Sequence, residues 1–301
     1  MKLETFKQFL DYQLLDTGDG YRLEQWGNVR LQRPDPQVIW SKSLPNSEWD
    51  KAHATFIGTG ERGKWQKNSK VPEKWEVYFR PDIKLMAKLT PFKHTGIFAE
   101  QAGNWEWMID LVSPLTKQGR SLKILNLFAY TGGATMVLTR LGHKVTHVDA
   151  SKPSIAWAKE NQFSNKFDQD AIRWILDDAA KFAERELKRG EKYDGIIMDP
   201  PAFGHSPTGK TWKFNRDLPK LLETCVELLS EDAKFLLING YATNSSALSL
   251  NNILEDKISA RFTSDNAGQI EFGELCLEHK GGTNKKTDRK ISTGIFARWR
   301  S

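Results

Sequence analysis

The spacing of apolar residues changes character near position 94. Before it, short apolar and aromatic runs at 21–26, 38–40 and 75–79 alternate with Gly, Pro and Asp. That is the pattern of short antiparallel strands joined by turns, and the first fifteen residues predict a short helix ahead of them. From residue 121 onward, apolar runs of strand length alternate with stretches of helical period. Strands are expected at 122–128, 144–148, 172–176, 195–198 and 234–239, and helices at 134–141, 152–163, 179–189 and 218–229. A further helix at 100–111 precedes the first of these strands. Such alternation implies parallel strands covered by helices on both faces. Residues 271–279 and 293–298 leave no room for a crossover helix, so they predict an antiparallel hairpin at the sheet edge. The expected fold is α/β. A small β-rich N-terminal domain over 1–93, a candidate for substrate recognition, precedes a Rossmann-like, mostly parallel sheet over 94–301. No internal repeat or low-complexity tract interrupts either.

Composition narrows the classes. The 301 residues are 39% hydrophobic and 27% charged, ordinary values for a globular protein. No window has the apolar length of a membrane span. The start, Met1-Lys-Leu-Glu-Thr-Phe-Lys7, has charge where a secretory leader needs an apolar stretch. A cytoplasmic protein with no membrane partner is expected. Two cysteines, Cys225 and Cys276, provide neither a disulfide framework nor metal-ligand spacing, so no metal is expected. A net charge of +6 is compatible with a polyanionic partner. The basic segments 61–70 and 279–290 read as loops that either face solvent or touch an RNA backbone. None of this sets an oligomeric state.

The chemistry gathers at the ends of the expected strands. Asn126-Leu-Phe-Ala-Tyr-Thr-Gly-Gly133 follows the first, and a glycine pair there lets backbone approach a ligand closely. The next strand ends at Asp149, where a carboxylate suits the two hydroxyls of a ribose. The dinucleotide spacing G-x-G-x-x-G is missing, since the glycine after the pair is Gly142, and no Lys or Arg lies in the loop. An adenosine ligand without phosphates fits better, and S-adenosylmethionine is one. The third strand ends in Asp177 and Asp178; Asp178 is the candidate for the adenine amine and Asp177 for a helix cap. The fourth delivers Asp199-Pro-Pro-Ala-Phe203. Its prolines fix φ and remove two N–H donors, which leaves stiff carbonyls to receive an amino or ring N–H group. Phe203 could stack on a planar ring, and a base in folded RNA would first be extruded.

Taken in order, Asn126-Leu-Phe-Ala-Tyr-Thr-Gly-Gly133, Val148-Asp-Ala-Ser151, Asp177-Asp-Ala-Ala-Lys-Phe182 and Asp199-Pro-Pro-Ala-Phe203 resemble the motifs of class I S-adenosylmethionine-dependent methyltransferases. The nearest branch contains bacterial 23S rRNA base methyltransferases. Gly96-Ile-Phe-Ala-Glu-Gln101 is similar to a segment that lies over the cofactor in that branch. The resemblance spans 94–301. It implies S-adenosyl-L-methionine as cofactor, bound by Phe98, Gln101, Phe128, Ala129, Tyr130, Thr131, Gly132, Gly133, Asp149, Ala150, Ser151, Asp178, Ala179 and Asp199. Asp199, Pro200, Pro201 and Phe203 would form the catalytic loop, with Asp199 orienting the acceptor or the methionine end of the cofactor. The sequence departs from the family pattern at Asn126, which replaces an acid, and in lacking G-x-G spacing; its β-rich N-terminus does not look like the usual RNA-binding modules.

Carbon-5 methylation of cytosine would need a cysteine nucleophile. Residues 237–246, after the fifth strand, have none, while Cys225 sits at helical core spacing and Cys276 in a strand. A nitrogen of an rRNA base is therefore the expected acceptor. A protein side-chain amide or a small planar metabolite is the alternative, and a non-catalytic cofactor-binding protein a third reading. His205, Lys210, Lys213 and Arg216 follow the acceptor loop and could assist or cover a substrate, and Asn239 and Tyr241 could line the pocket. Trp105 and Trp107 should point to different faces of their helix, with at most one buried against the sheet.

Overall fold

Period-two burial builds the N-terminal strands: Val29, Leu31 and Arg33 turn inward, and Arg30 and Gln32 between them are partly exposed. A computed structural model of the chain describes residues 1–59, 62–205, 211–262, 268–279 and 289–301. In chain order it has β1 (Lys2–Glu4), β2 (Tyr12–Gly18), β3 (Tyr21–Trp26), β4 (Val29–Pro34), α1 (Asn46–Trp49), β5 (Ala54–Thr59), β6 (Arg62–Lys67), β7 (Trp75–Arg80) and β8 (Ile83–Ala87). After a 3-10 turn at Ala99–Gln101 come α2 (Ala102–Lys117), β9 (Lys123–Leu127), α3 (Gly133–Arg140), β10 (Lys144–Asp149), α4 (Lys152–Ser164), β11 (Ile172–Leu176) and α5 (Ala179–Lys188). The remainder is β12 (Gly195–Met198), β13 (Phe203–His205), β14 (Thr211–Lys213), α6 (Phe214–Leu228), β15 (Phe235–Gly240), α7 (Ala247–Ser259), β16 (Gln269–His279) and β17 (Arg289–Arg300).

Two units form. One is Met1–Glu4, Trp105–Leu275 and Thr293–Ser301; the other is Thr5–Asn104 with Cys276–Ser292. The second unit contains a sheet in the order β2-β3-β4-β5-β6 and the separate hairpin β7-β8. Its interior includes charge: Glu24, fully buried, accepts from Tyr12 Oη at 2.9 Å and from Arg33 Nε at 2.5 Å and Nη2 at 2.7 Å. These partners hold the Glu24 carboxyl below its ordinary range against the opposing effect of burial.

The first unit is the expected α/β layer. Its sheet runs β1-β16-β17-β15-β12-β9-β10-β11. Strands β15, β12, β9, β10 and β11 are mutually parallel, and β17 is antiparallel to β15. Leu125, Leu127 and Met198 of the sheet pack with Phe182 of α5 and Leu222 of α6 in one core. Among the described residues no helix is long and apolar enough to cross a membrane.

Four local expectations need correction. No helix opens the chain: Tyr12 and Leu14 are buried on either side of an exposed Gln13, which is strand periodicity. Residues 38–40 make no strand; the Val38 and Trp40 carbonyls accept from Gly20 and Asp19 N–H, and Ile39 points outward. The β16–β17 hairpin is not the sheet edge, because Lys2–Glu4 pairs parallel to β16 outside it. The helix expected at 218–229 begins at Phe214, with Pro219 inside it.

Candidate active site

Pairing register brings the ends of four parallel strands together. Leu127 lies across from Val148 on one side and Met198 on the other, and Asp149 lies across from Leu176. The loops beginning at Phe128, Ala150, Asp177 and Asp199 therefore leave the sheet side by side. They do so at the point where the chain order reverses, the usual ligand crevice of open α/β sheets.

The first loop is strained and strongly braced. Phe128, Tyr130 and Gly132 have φ of 55°, 51° and 84°. For the two non-glycine residues the left-handed region costs about 1–3 kcal/mol each. Backbone and side chains offset this: Ala129 N–H donates to Val148 O, Tyr130 N–H to Asp149 Oδ2 at 2.8 Å, and Asn161 Nδ2 to Thr131 O at 2.8 Å. Beneath it runs a buried chain in which Asn126 Nδ2 donates to Thr135 Oγ1 at 2.9 Å, and Thr135 Oγ1 lies 2.9 Å from His147 Nδ1. The hydroxyl thus joins the Asn126 amide to the His147 ring. Burial pushes the His147 pKa down to about 3.

The two glycines have separate reasons. Gly132 supplies the left-handed turn, whereas a Cβ on Gly133 would lie 2.4 Å from Trp105 Cζ2. Trp105 is buried there, and the half-buried Trp107 sets its ring 5.9 Å from Phe235. The sequence reading gave both glycines to the ligand; at Gly133 the close neighbour is an indole.

Asp149 accepts from Tyr130 N–H through Oδ2 and from Ser151 N–H through Oδ1, each at 2.8 Å. Burial outweighs these bonds and raises its carboxyl above the ordinary range. Each oxygen keeps a lone pair, so two further hydroxyl donors would relieve a half-desolvated charge. Ala150 links this acid to Ser151, whose Oγ caps α4 by accepting from Ser154 N–H at 3.3 Å. At β11 the expected capping role is reversed. Asp178 caps α5, its Oδ1 accepting from Lys181 N–H at 3.1 Å ahead of the buried Ala179, and Asp177 pairs with Arg185. Cap geometry, not residue type, decides between adjacent acids. With carboxylates at Asp149 and Asp178 and no cation in the first loop, the donor set fits an uncharged adenosine moiety.

The acceptor loop is organised by a hairpin that sequence reasoning missed. Phe203 pairs with Lys213 and Gly204 with Trp212. The Trp212 ring lies 5.1 Å from Phe128, and its Nε1 donates to the Pro201 carbonyl at 2.7 Å. The Ala202 carbonyl accepts from Phe214 N–H, and Pro201 bridges to Tyr241 in parallel. Of the stiff carbonyls expected to face an acceptor, those of Pro201 and Ala202 are thus engaged internally. Phe203 is 56% exposed. Arg216 is turned back onto Asp217 and the Thr211 carbonyl, so it does not offer itself to a substrate as the sequence suggested. Lys210 and the His205 side chain lie outside the described residues. Asn239 is buried in β15. Trp212 was legible only as an aromatic between two polar residues; the glycine across from it was the usable signal.

Phe98 and Gln101 belong to the other unit. The Phe98 ring is 5.2 Å from His94, and Gln101 Oε1 accepts from Asn104 Nδ2 at 3.1 Å. Lys64, Lys67 and Lys70 of the first basic segment are exposed on or just after edge strand β6. Glu61 and residues 280–288 of the basic segments lie outside the described residues, and His279 is buried. Cys225 and Cys276 are not in a disulfide and are buried, and burial pushes the Cys225 thiol far up. Among the described residues no three His, Cys, Asp or Glu gather as metal ligands.

No family model matches the chain. A solved S-adenosylmethionine-dependent methyltransferase from Agrobacterium tumefaciens is 37% identical and superposes with a TM-score of 0.89, covering 99% of this chain and 92% of that one. The ribosomal RNA large subunit methyltransferase K/L of Shewanella frigidimarina is 31% identical over 166 residues, 52% of this chain and 21% of that enzyme. The ribosomal RNA large subunit methyltransferase I of Tolumonas auensis is 26% identical over 205 residues, 68% of this chain and 48% of its own length. The chain thus spans about a fifth of the first curated relative and about half of the second.

Proposed function

Since this chain belongs to the S-adenosylmethionine-dependent methyltransferases, we propose that it methylates a base nitrogen of large-subunit ribosomal RNA. The observation that carries the nitrogen is that Asp199 opens the loop directly after β12 while both cysteines are buried away from any such role. The names of the relatives support ribosomal RNA, as does a net charge of +6 with exposed Lys64, Lys67 and Lys70. A cytoplasmic location goes with this reading.

When bound, S-adenosylmethionine supplies an electrophilic methyl group on sulfur. Asp149 would hold its ribose hydroxyls and Asp178 its adenine amine, with the backbone of Phe128, Ala129, Tyr130, Thr131, Gly132 and Gly133 beside it. Ala150, Ser151 and Ala179 would contribute backbone, and Phe98 and Gln101 are proposed on the resemblance of their segment alone. Asp199 would orient the amino or ring N–H of the acceptor, so that an N–C bond could form in line as the C–S bond breaks, S-adenosylhomocysteine leaves and the N–H proton passes to solvent. Alignment of this kind can remove roughly 7–11 kcal/mol of barrier, so no strong base is required.

The test is transfer of radiolabelled methyl to total RNA from cells lacking the protein, with Asp199→Ala as control. Label entering RNA with the wild type alone supports the reading. Label entering protein or a metabolite instead overturns the RNA acceptor while leaving the methyltransferase assignment intact.

A further inference from the structure

We infer that Phe203 and Lys213 hold a nucleotide flanking the acceptor and not the acceptor base itself, an inference that rests on the RNA reading above. The argument is one of faces. Residues directly across an antiparallel pair share a side of the ribbon, and successive residues alternate. Gly204 and Trp212 share one side. The Trp212 indole on that side packs with the core cluster and with Phe128 of the cofactor loop, and its N–H closes on the Pro201 carbonyl. A Cβ on Gly204 would meet Pro201 Cγ at 3.3 Å, so this side of the ribbon also lies close to Pro201. Phe203 and Lys213, the neighbouring pair, therefore occupy the opposite side. Phe203 is 56% exposed and Lys213 is exposed.

An aromatic ring with an ammonium across from it is the elementary unit of single-strand recognition: one base stacks on the ring and a phosphate meets the cation. Charge and position select the occupant. The chain has net charge +6, Arg216 is neutralised by Asp217, and Lys213 supplies the positive charge beside the ring. Phe203 lies two residues beyond Pro201 and four beyond Asp199, and Lys213 is its cross-strand partner, on the side turned from the cofactor loop. A base on Phe203 is thus adjacent to the acceptor and faces away from the methyl donor.

Binding of a fluorescein-labelled 12-nucleotide uridine RNA, followed by anisotropy, tests this together with methyl transfer to total RNA from cells lacking the protein. S-adenosylhomocysteine affinity serves as the control for folding. Phe203→Ala should weaken oligonucleotide binding about 10-fold, in line with the loss of one stacked base. It should raise KM for RNA with kcat held within about twofold, and Phe203→Trp should restore both. Lys213→Gln should lower the slope of log affinity against log salt by about one. A fall in kcat with KM unchanged in Phe203→Ala would put the ring on the acceptor base and overturn the inference. Unchanged binding and kinetics in both variants would overturn it too, while RNA methylation by the wild type stood. Label entering protein and not RNA would remove the RNA reading, and this inference with it.

Discussion

The loops after β9 and β12 leave neighbouring strands, yet they are secured from opposite directions. The cofactor loop is held from beneath: Asn126, Thr135, His147 and Asn161 are all buried and fix a backbone with two non-glycine residues at positive φ. The acceptor loop is held by its own prolines and by a hairpin that follows it in sequence, through one indole N–H and one ring contact. A loop braced from below keeps its upper backbone available to a ligand, and its shape is tied to the sheet core. A loop braced by an appended hairpin can change what it recognises without disturbing that core.

The contrast can be broken at either end. The largest effect should come from Asp199→Ala, about a 100-fold loss of methyl transfer, the scale of removing one group that orients reacting atoms. Calorimetry with S-adenosylhomocysteine then sharpens the assignment: unchanged affinity puts Asp199 on the acceptor, and lost affinity puts it at the methionine end. Next, Thr135→Val keeps the shape beneath the cofactor loop but strands Asn126 Nδ2 and His147 Nδ1. It should cost about 2–3 kcal/mol in urea melts, whereas Trp212→Phe should leave the melt nearly unchanged and act on transfer rate.

Acidification gives a third, slightly smaller effect. His147 titrates near 3 in the folded protein and from 6.5 in the unfolded chain. Below about pH 6.5 the unfolded chain binds a proton that the folded protein refuses, so this contribution is complete above that value and is lost as pH falls toward 3. By about pH 5 the loss is about 2 kcal/mol, and His147→Gln should flatten the slope of stability against pH. The smallest is Gly132→Ala, about 1–2 kcal/mol from the left-handed turn alone; equal melts for the variant and the wild type would show that the loop relaxes there.

What was legible in the sequence followed short range. The runs that became β9 to β12, and the acid closing β10, are local patterns with one structural solution each. Other features depend on partners far away in the chain. Lys2–Glu4 becomes a strand only because Gly273, Glu274 and Leu275 stand beside it. Gly133 is required by Trp105, a residue on another helix. Trp212 finds its place through the Pro201 carbonyl and through Phe128, far from it in the chain. That Asp178 and not Asp177 caps α5 turns on backbone angles at one residue, which composition does not specify.

The strand at Lys2–Glu4 has a temporal consequence. Arg298, fully buried, donates through Nη2 to Glu4 and to Glu271, each at 2.7 Å, and the first of these bonds joins residues 294 positions apart. During translation Glu4 must wait for this partner until position 298 has left the exit tunnel. The strands from β9 to β15 can assemble as they emerge, but the outer edge of the sheet cannot. Closing that edge waits for residue 298, and a nascent chain stalled before residue 289 would keep its sheet open on that side.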